Sequence, residues 1–169
     1  MRPVSANVVI DAPRERVFDL LCDLSRRPAF TDHFLEEYRL ERLDPVGVGA
    51  AARFRLEGSG AWLDTQIEIA ERPHLIREQG RGGPVNRLSV FTVWELASAA
   101  SPQSCELTVT FWTEPKNVFD RLRNPLGRSG RLRRGWARAA RRLKEVAESD
   151  EVAPAVTVAG LDRLPSAAR

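Results

Sequence analysis

The chain has 169 residues, of which 43% are hydrophobic and 29% charged, as is typical of one globular domain with a sizeable core. No apolar run approaches the roughly 20 residues that a membrane-spanning helix needs, and no signal-peptide pattern is evident, so we expect a cytoplasmic protein. The net charge of +3 is unevenly distributed. Ten of the 26 basic residues lie between Arg121 and Lys144, where there is no acid, and the other 16 are outnumbered by 23 acidic residues.

The N-terminal part of the chain predicts one strand followed by two short helices. Residues 4–11 are rich in β-branched side chains. A helix is expected from there to about Leu24, with Asp11 as its N-cap and Pro13 in its first turn. A second short helix is expected at about 28–34. The apolar residues of the first helix share one face at helical spacing: Val17, Leu20, Leu21 and Leu24.

Between residues 36 and 113 the hydrophobic period changes from 3.6 residues to 2, which is the period of strands. The turns between these strands are short, which favours an antiparallel meander in chain order. The strand at 86–97 is apolar on both faces and is expected at a central position. Six strands are predicted in this segment, at residues 36–43, 51–57, 62–71, 75–80, 86–97 and 105–113.

The clearest pattern is a long amphipathic helix near the C-terminus. Its apolar residues, from Leu132 to Ala147, fall within an arc of roughly 120°. The segment 117–130 before it is expected to form a short helix and a loop. Residues 149–169 are predicted to be a poorly ordered tail after a domain spanning 1–148. The opposite, polar side of the long helix carries Arg134, Arg138, Arg141, Lys144 and Glu145.

A single antiparallel sheet leaves one apolar face to be covered, and the long helix is the element available to cover it. We therefore predict an α+β helix-grip fold: a curved antiparallel sheet of about seven strands wrapped around a long C-terminal helix, with two short helices after the first strand. A strongly curved sheet on one helix leaves space near its ends that side chains need not fill.

Several segments carry a resemblance to a known family: the opening VVIDAPRERVFDLLCDL, the GVG before a strand, the IEIAERP turn, and the closing NPLGR and RRGWARAARRLKEVAE. Over about residues 4–148 the chain resembles the polyketide cyclase/dehydrase-like branch of the START and birch-pollen-allergen superfamily (SRPBCC). The resemblance implies a deep hydrophobic cavity between sheet and helix. Members of the superfamily include lipid and hormone carriers and aromatic polyketide cyclases. They share no universal catalytic residue, so the resemblance transfers none.

The inward face of the sheet and the apolar stripe of the long helix supply the candidate ligand-binding residues. Ligand pockets are mostly apolar with a few placed polar groups. An aromatic pair such as Trp94 and Trp136 suits flat, ring-containing ligands. Plain core packing is the alternative for most of these positions. The candidates are Phe54, Leu56, Ile67, Ile69, Trp94, Leu107, Val109, Phe111, Trp136, Ala140 and Leu143.

The two histidines are the candidates for catalysis and metal binding. His33 is a candidate acid or base, because it lies beside Asp32 with Tyr38 nearby. Adjacent residues on a helix do not face each other, so Asp32 would orient His33 poorly. The other histidine, His74, is expected on the surface. Two separated histidines without a cysteine cluster do not favour a metal site, no phosphate loop is present, and we expect no cofactor.

Three functions remain open. Binding or transport of a small hydrophobic or aromatic molecule in an internal cavity predicts a mostly apolar cavity. An enzyme of the polyketide cyclase, aromatase or dehydratase type predicts a buried titratable group with a perturbed pKa. A protein-interaction domain using the basic C-terminal helix predicts a filled core. That helix could attract an anionic partner, but no groove-reading motif is present and nucleic acid is not expected as a partner.

Overall fold

The computed structural model describes residues 2–58, 61–83, 86–115, 129–149 and 154–157. These residues form a seven-stranded antiparallel sheet with three α-helices, and a 3-10 turn separates the first two helices. The predicted α+β helix-grip architecture is therefore confirmed. The strands are β1 (Val4–Ile10), β2 (Leu35–Leu40), β3 (Ala51–Leu56), β4 (Trp62–Glu71), β5 (Leu75–Gly82), β6 (Leu88–Ser98) and β7 (Cys105–Pro115). The helices are α1 (Arg14–Cys22), α2 (Pro28–Thr31) and α3 (Ser129–Glu148), and the 3-10 turn is Leu24–Arg26.

The strand order across the sheet is β1-β7-β6-β5-β4-β3-β2. Strands β2 to β7 thus follow one another as a meander, as the short turns predict. The last strand, β7, pairs with the first strand, β1, so that Val4 lies opposite Phe111 and Ile10 opposite Cys105. Strand β6 lies between β5 and β7, and on its outer face Phe91 stacks on Trp112 of β7 at a centroid distance of 4.9 Å.

The core lies between the inner face of the sheet and α3. Directly paired residues of neighbouring strands share a face, so Ile76, Trp94 and Val109 form one inward layer across β5, β6 and β7. All three side chains are fully buried. The buried side chains of α3 repeat at helical spacing and cover this face: Leu132, Trp136, Ala139, Ala140, Leu143 and Ala147.

Two glycines inside β5 allow β4 and β5 to approach closely. A Cβ atom at Gly80 would lie 1.8 Å from the carbonyl oxygen of Asp64, and one at Gly82 would lie 2.1 Å from Cδ2 of Leu63. The sequence predicts a strand that ends at residue 80, before a glycine turn. The strand instead continues to Gly82, because glycine is the residue that permits this close backbone approach.

An irregularity in β4 changes the inward face of its second half. Ile67 pairs with Glu78, but the register then shifts and Ile69 pairs with Arg77. Arg77 is exposed and Ile69 is only half-buried. The prediction that Ile69 shares the inward face with Ile67 is therefore wrong, because an extra residue in one strand reverses the alternation beyond it.

Asp11 does not cap the first helix. Helix α1 begins at Arg14 with Pro13 at its N-cap and no side-chain cap. The backbone N–H of Asp11 donates to Oε1 of Glu148 at 2.6 Å, and its carboxylate lies 3.7 Å from Nζ of Lys144. The predicted cap is wrong because Asp11 makes contacts to α3 instead.

Part of the predicted tail contacts the domain. Residues 154–157 are described, and the backbone N–H of Val156 donates to the carbonyl oxygen of Ser25 at 2.9 Å. The Val156 side chain is partly buried against the core. The described residues leave out 150–153 and 158–169 of the tail. They also leave out 117–128 of the segment 117–130 that is predicted to form a short helix and a loop, while its last two residues belong to α3.

Candidate functional site

Trp136 is the centre of an aromatic cluster between α3 and the sheet. It is 3% exposed, and its ring centroid lies 5.1 Å from that of Phe34, 5.4 Å from Phe111 and 5.6 Å from Trp94. The contacts with Phe34 and Trp94 are edge-to-face, a favoured geometry for aromatic pairs. The cluster therefore joins α3, the segment after α2, and strands β6 and β7.

The structure places the predicted ligand-binding residues in one buried layer, with one exception. All of them are buried except Ile69, which the register shift in β4 turns away from the inner face. Burial is equally expected for ordinary core residues. The role of these side chains in ligand binding therefore stays a prediction.

A buried ion pair lies in the same layer. Nη2 of Arg27 donates to Oε1 of Glu78 at 2.7 Å, and the two side chains are 3% and 2% exposed. The guanidinium of Arg27 also donates to the carbonyl oxygen of Leu21 at 3.1 Å. Charges so far from water require partners, because desolvating either of them alone costs several kcal/mol.

Glu78 has two further hydrogen-bond donors besides Arg27. Nε1 of Trp94 donates to Oε1 at 2.7 Å, and Oγ1 of Thr65 donates to Oε2 at 2.9 Å. The carboxylate thus accepts hydrogen bonds from β4, β6 and the residue before α2. This network ties three parts of the fold together around one charged group.

The guanidinium of Arg27 also stacks on aromatic rings. Its central carbon lies 4.7 Å from the ring centroid of Trp94 and 5.7 Å from that of Phe30. Both distances are within the range of cation–π attraction. The aromatic cluster and the ion pair therefore meet at Trp94, which contacts Trp136, Arg27 and Glu78.

Two hydrogen-bond donors beside Trp94 have no partner. Nε1 of Trp136 and Nε of Arg27 are shielded from solvent, and neither has an acceptor among the residues that the structure describes. Buried polar groups in native proteins are nearly always paired, so an unpaired buried donor requires an explanation. Both donors lie on side chains that pack against Trp94.

Sequence reasoning missed Arg27, Glu78 and Thr65. The position of Glu78 could have been recognised from the sequence, because it lies between Ile76 and Gly80 at an inward position of the alternating strand. A charged residue at such a position indicates a buried partner. The burial of Arg27 could not have been recognised in this way, because Arg27 lies in the irregular segment between two helices. No hydrophobic period there shows which residues face inward.

His33 connects α2 to α3. Its Nε2–H donates to the carbonyl oxygen of Gly135 at 3.0 Å, and its Nδ1 accepts from Nη1 of Arg142 at 3.3 Å. Arg142 also forms an ion pair with Asp32. Burial lowers the pKa of His33. With both nitrogens bonded within the protein, the ring has no free lone pair for a substrate, and the geometry gives no support to a catalytic role.

Tyr38 and Cys22 also have perturbed pKa values. Burial raises the pKa of Tyr38, whose hydroxyl donates to the carbonyl oxygen of Leu24 at 3.0 Å. Burial also raises the pKa of the Cys22 thiol to about 11. Both groups are therefore neutral at pH 7, and the Tyr38 proton is already engaged in a hydrogen bond.

An open groove of about 1070 Å³ lies on the outer face of the sheet, away from α3. The ring of Trp62 stands at this groove among guanidinium groups, 5.0 Å from Arg53 and 5.5 Å from Arg39. Arg53 also pairs with Asp64 at 3.5 Å. The groove is lined mainly by charged and polar side chains, including this ion pair, so it does not match an apolar ligand.

The basic face of α3 is only partly paired with the rest of the domain. Arg142 pairs with Asp32, and Lys144 lies 3.2 Å from Glu148 of the same helix. The remaining cations are exposed and have no ion pair within the part of the chain that the structure describes: Arg131, Arg133, Arg134, Arg138 and Arg141.

The curved sheet, the long covering helix and the aromatic layer between them define a helix-grip protein of the START-like class. The sequence matches the model of the polyketide cyclase/dehydrase and lipid transport family over residues 1–148. The chain therefore belongs to this family, and the resemblance seen in the sequence is confirmed. The family description covers both catalysis and transport and does not choose between them.

Solved structures show the same fold at low sequence identity. A START superfamily protein from Mycobacterium smegmatis is 15% identical with a TM-score of 0.60, over 85% of this chain and 97% of its own. Norcoclaurine synthase from Thalictrum flavum is 14% identical with a TM-score of 0.65, over 89% of this chain and 95% of its own. DynU16, from the dynemicin biosynthetic locus, is 19% identical with a TM-score of 0.60, and 91% of this chain matches 50% of its length.

These likenesses establish the architecture alone. No curated protein is significantly similar in sequence. None of the helices in the described residues combines the length and the apolar character needed to cross a membrane.

Proposed function

We propose that this protein binds a small hydrophobic or aromatic molecule in a cavity between the sheet and α3. The observation that carries the proposal is the aromatic layer around Trp136, which is lined by rings from α3, β6 and β7 and contains an unpaired buried donor. Membership of a family described by cyclase, dehydrase and lipid transport activities supports the same proposal.

The buried groups favour binding over acid–base catalysis. A general acid or base must reach the substrate with a proton or a lone pair to exchange. Glu78 already accepts hydrogen bonds from three donors, and Tyr38 already donates its proton to a carbonyl oxygen. His33 has both nitrogens bonded within the protein. We therefore propose a carrier or receptor and not a cyclase.

The exposed arginines of α3 identify no anionic partner by themselves. They are spread along an exposed helix face on the surface of the protein. An anionic partner is therefore no part of the proposed function.

Native mass spectrometry of the freshly purified protein, with organic extraction of bound molecules, tests the proposal. We expect a co-purifying apolar molecule, or binding of fluorescent apolar probes by the empty protein. Trp136→Ala should weaken retention, because it removes the central ring of the cluster. Trp112→Ala is the matched control, since Trp112 stacks on Phe91 at 4.9 Å on the opposite face of the sheet.

Two results would contradict the proposal. One is an empty protein that binds none of the apolar probes, which would indicate a filled core. The other is an equal loss of probe binding in Trp136→Ala and Trp112→Ala, which would place the probe outside the core.

A further inference from the structure

We propose that the indole N–H of Trp136 and the Nε–H of Arg27 form a two-donor site for an oxygen atom of a neutral, flat ligand. This inference rests on the proposed function and specifies the chemistry of the ligand. Both atoms are buried, and both lack an acceptor in the described part of the chain. Their side chains pack against the same ring, that of Trp94.

The two unpaired atoms are donors, so the complementary group is an acceptor. Indole nitrogen and guanidinium nitrogens carry hydrogens and accept no hydrogen bonds. Leaving a donor unpaired in an apolar environment costs free energy that a ligand oxygen would recover. A ketone, ester or ether oxygen has the required lone pairs. A pure hydrocarbon would leave both donors as they are.

The charge of the site favours a neutral ligand over a carboxylate. The guanidinium of Arg27 is already matched by the carboxylate of Glu78 at 2.7 Å, and both are almost fully buried. A ligand carboxylate would add an unmatched negative charge beside Glu78. Burying such a charge without its own counter-ion is unfavourable. Arg27 therefore serves the ligand as a hydrogen-bond donor and not as a free cation.

The surroundings of the two donors favour a flat ring system. The ring centroid of Trp136 lies 5.6 Å from that of Trp94 and 5.4 Å from that of Phe111. The ring of Phe30 meets Trp94 edge-on at 6.4 Å. Aromatic walls contact flat molecules over a large area. The site thus suits a ring system that carries at least one acceptor oxygen and no formal charge.

Three probes with one skeleton test this inference: 9-fluorenone, which has a carbonyl group, fluorene, which lacks it, and fluorene-9-carboxylate, which is charged. Their dissociation constants are measured by isothermal titration calorimetry for the wild type, Trp136→Phe and Trp112→Phe. The Phe substitutions keep a ring and remove the N–H. Nε1 of Trp112 donates to Glu114 on the outer face, so Trp112→Phe is the matched control.

We expect Trp136→Phe to weaken 9-fluorenone binding by about two- to tenfold and to change fluorene binding by less than about twofold, since one neutral hydrogen bond is lost. Trp112→Phe should change neither. The carboxylate should bind more weakly than the ketone. Equal weakening of ketone and hydrocarbon by Trp136→Phe, or tighter binding of the carboxylate, would overturn the donor site and leave the proposed function standing. Failure of all three probes to bind the wild type would contradict the proposed function itself.

NMR spectra of the wild-type protein test the same two donors without requiring any variant to fold. In ¹H–¹⁵N spectra, 9-fluorenone should shift the indole N–H of Trp136 and the Nε–H of Arg27 downfield, as formation of a hydrogen bond does. Fluorene should not produce this shift. Identical shifts with both probes would show that the carbonyl oxygen does not accept from these donors.

Discussion

Arg27 and Glu78 place opposite charges inside an otherwise apolar layer, where each of them requires the other. Nη2 of Arg27 lies 2.7 Å from Oε1 of Glu78. Arg27 also donates to the carbonyl oxygen of Leu21, and Glu78 accepts from Thr65 and Trp94. A buried pair of this kind adds little net stability, but the loss of one partner leaves an uncompensated charge. Its hydrogen bonds join α1 and the residue before α2 to β4, β5 and β6.

At this scale we predict that Glu78→Gln lowers the free energy of unfolding by about 3–5 kcal/mol, because Arg27 loses its counter-charge in the core. The double variant Arg27→Met/Glu78→Gln should recover part of this loss. Urea unfolding measures both. Glu68 pairs with exposed Arg77 at 3.6 Å, and Glu68→Gln should cost less than about 1 kcal/mol. A double variant less stable than Glu78→Gln would show that the unpaired charge is not the cause.

The stability of the protein should depend on pH through His33. Burial lowers the pKa of His33 below its ordinary value of 6.5, and the cations of Arg138 and Arg142 lower it further. The hydrogen bond to Gly135 and the charge of Asp32 act in the opposite direction without reversing the shift. The unfolded chain therefore binds this proton more tightly than the folded protein does. The contribution of neutral His33 to stability is present above pH 6.5 and is lost as the pH falls below that value.

His33→Gln should reduce the loss of stability between pH 7.5 and pH 5, because glutamine can donate to Gly135 and accept from Arg142 without titrating. Thermal unfolding across this range measures the effect. His74→Gln removes the other, exposed histidine and should keep the wild-type dependence. If His33→Gln and the wild type lose stability in parallel, His33 is not the titrating group.

Among the contacts between elements, the packing of the segment after α2 on α3 depends on the glycine at position 135. A Cβ atom at Gly135 would lie 2.8 Å from Cδ2 and 3.0 Å from Cγ of the Phe34 ring. Phe34 is buried and packs on Trp136. Gly135 therefore lets α3 approach the ring closely, and its carbonyl oxygen accepts the His33 hydrogen bond at the same place.

Two glycines of the same helix should respond to alanine with opposite signs. Gly130 has no atom within 4 Å of the position of a Cβ, so Gly130→Ala should be neutral or stabilise by up to about 1 kcal/mol through helix propensity. Gly135→Ala gains the same propensity but forces the Phe34 ring to move, at a cost of about 1–3 kcal/mol. Chemical unfolding of the two variants compares them.

The double variant Gly135→Ala/Phe34→Leu is the control for this mechanism. A smaller side chain at position 34 should relieve the clash, so alanine at position 135 should cost less in that background than in the wild type. Equal stability of Gly130→Ala and Gly135→Ala would contradict the packing argument.

At the scale of the whole molecule, the C-terminal residues contact the corner that contains the buried ion pair. Val156 bonds to the carbonyl oxygen of Ser25, two residues before Arg27, and packs against the core. The chain beyond α3 thus returns to the 3-10 turn between α1 and α2. This contact extends the domain past residue 148, where the sequence pattern ends.

Val156→Ser should lower the free energy of unfolding by about 1 kcal/mol, because a partly buried apolar side chain is lost. Thr157→Ala changes an exposed neighbour and should stay within about 0.5 kcal/mol of the wild type. Urea unfolding distinguishes the two variants. Equal stabilities would show that the Val156 contact contributes nothing to the folded state.

The secondary-structure elements of this protein and its class of fold follow from the amino-acid pattern alone. The apolar stripe from Leu132 to Ala147 predicts α3, and the two-residue period from 36 to 113 predicts the strands, because both patterns depend on local geometry alone. An apolar sheet face and one helix to cover it then lead to the helix-grip arrangement. The burial of Trp94 and Trp136 follows from the same periods.

The details of the candidate site depend on contacts between distant segments of the folded chain. Arg27 and Glu78 are 51 positions apart and meet because β5 lies in the centre of the sheet beside the turn after α1. The register shift that turns Ile69 outward depends on how β4 pairs with β5, which no local period records. The unpaired donors of Trp136 and Arg27 likewise become visible only when every surrounding acceptor has been placed, because hydrogen-bond partners are set by packing between distant segments.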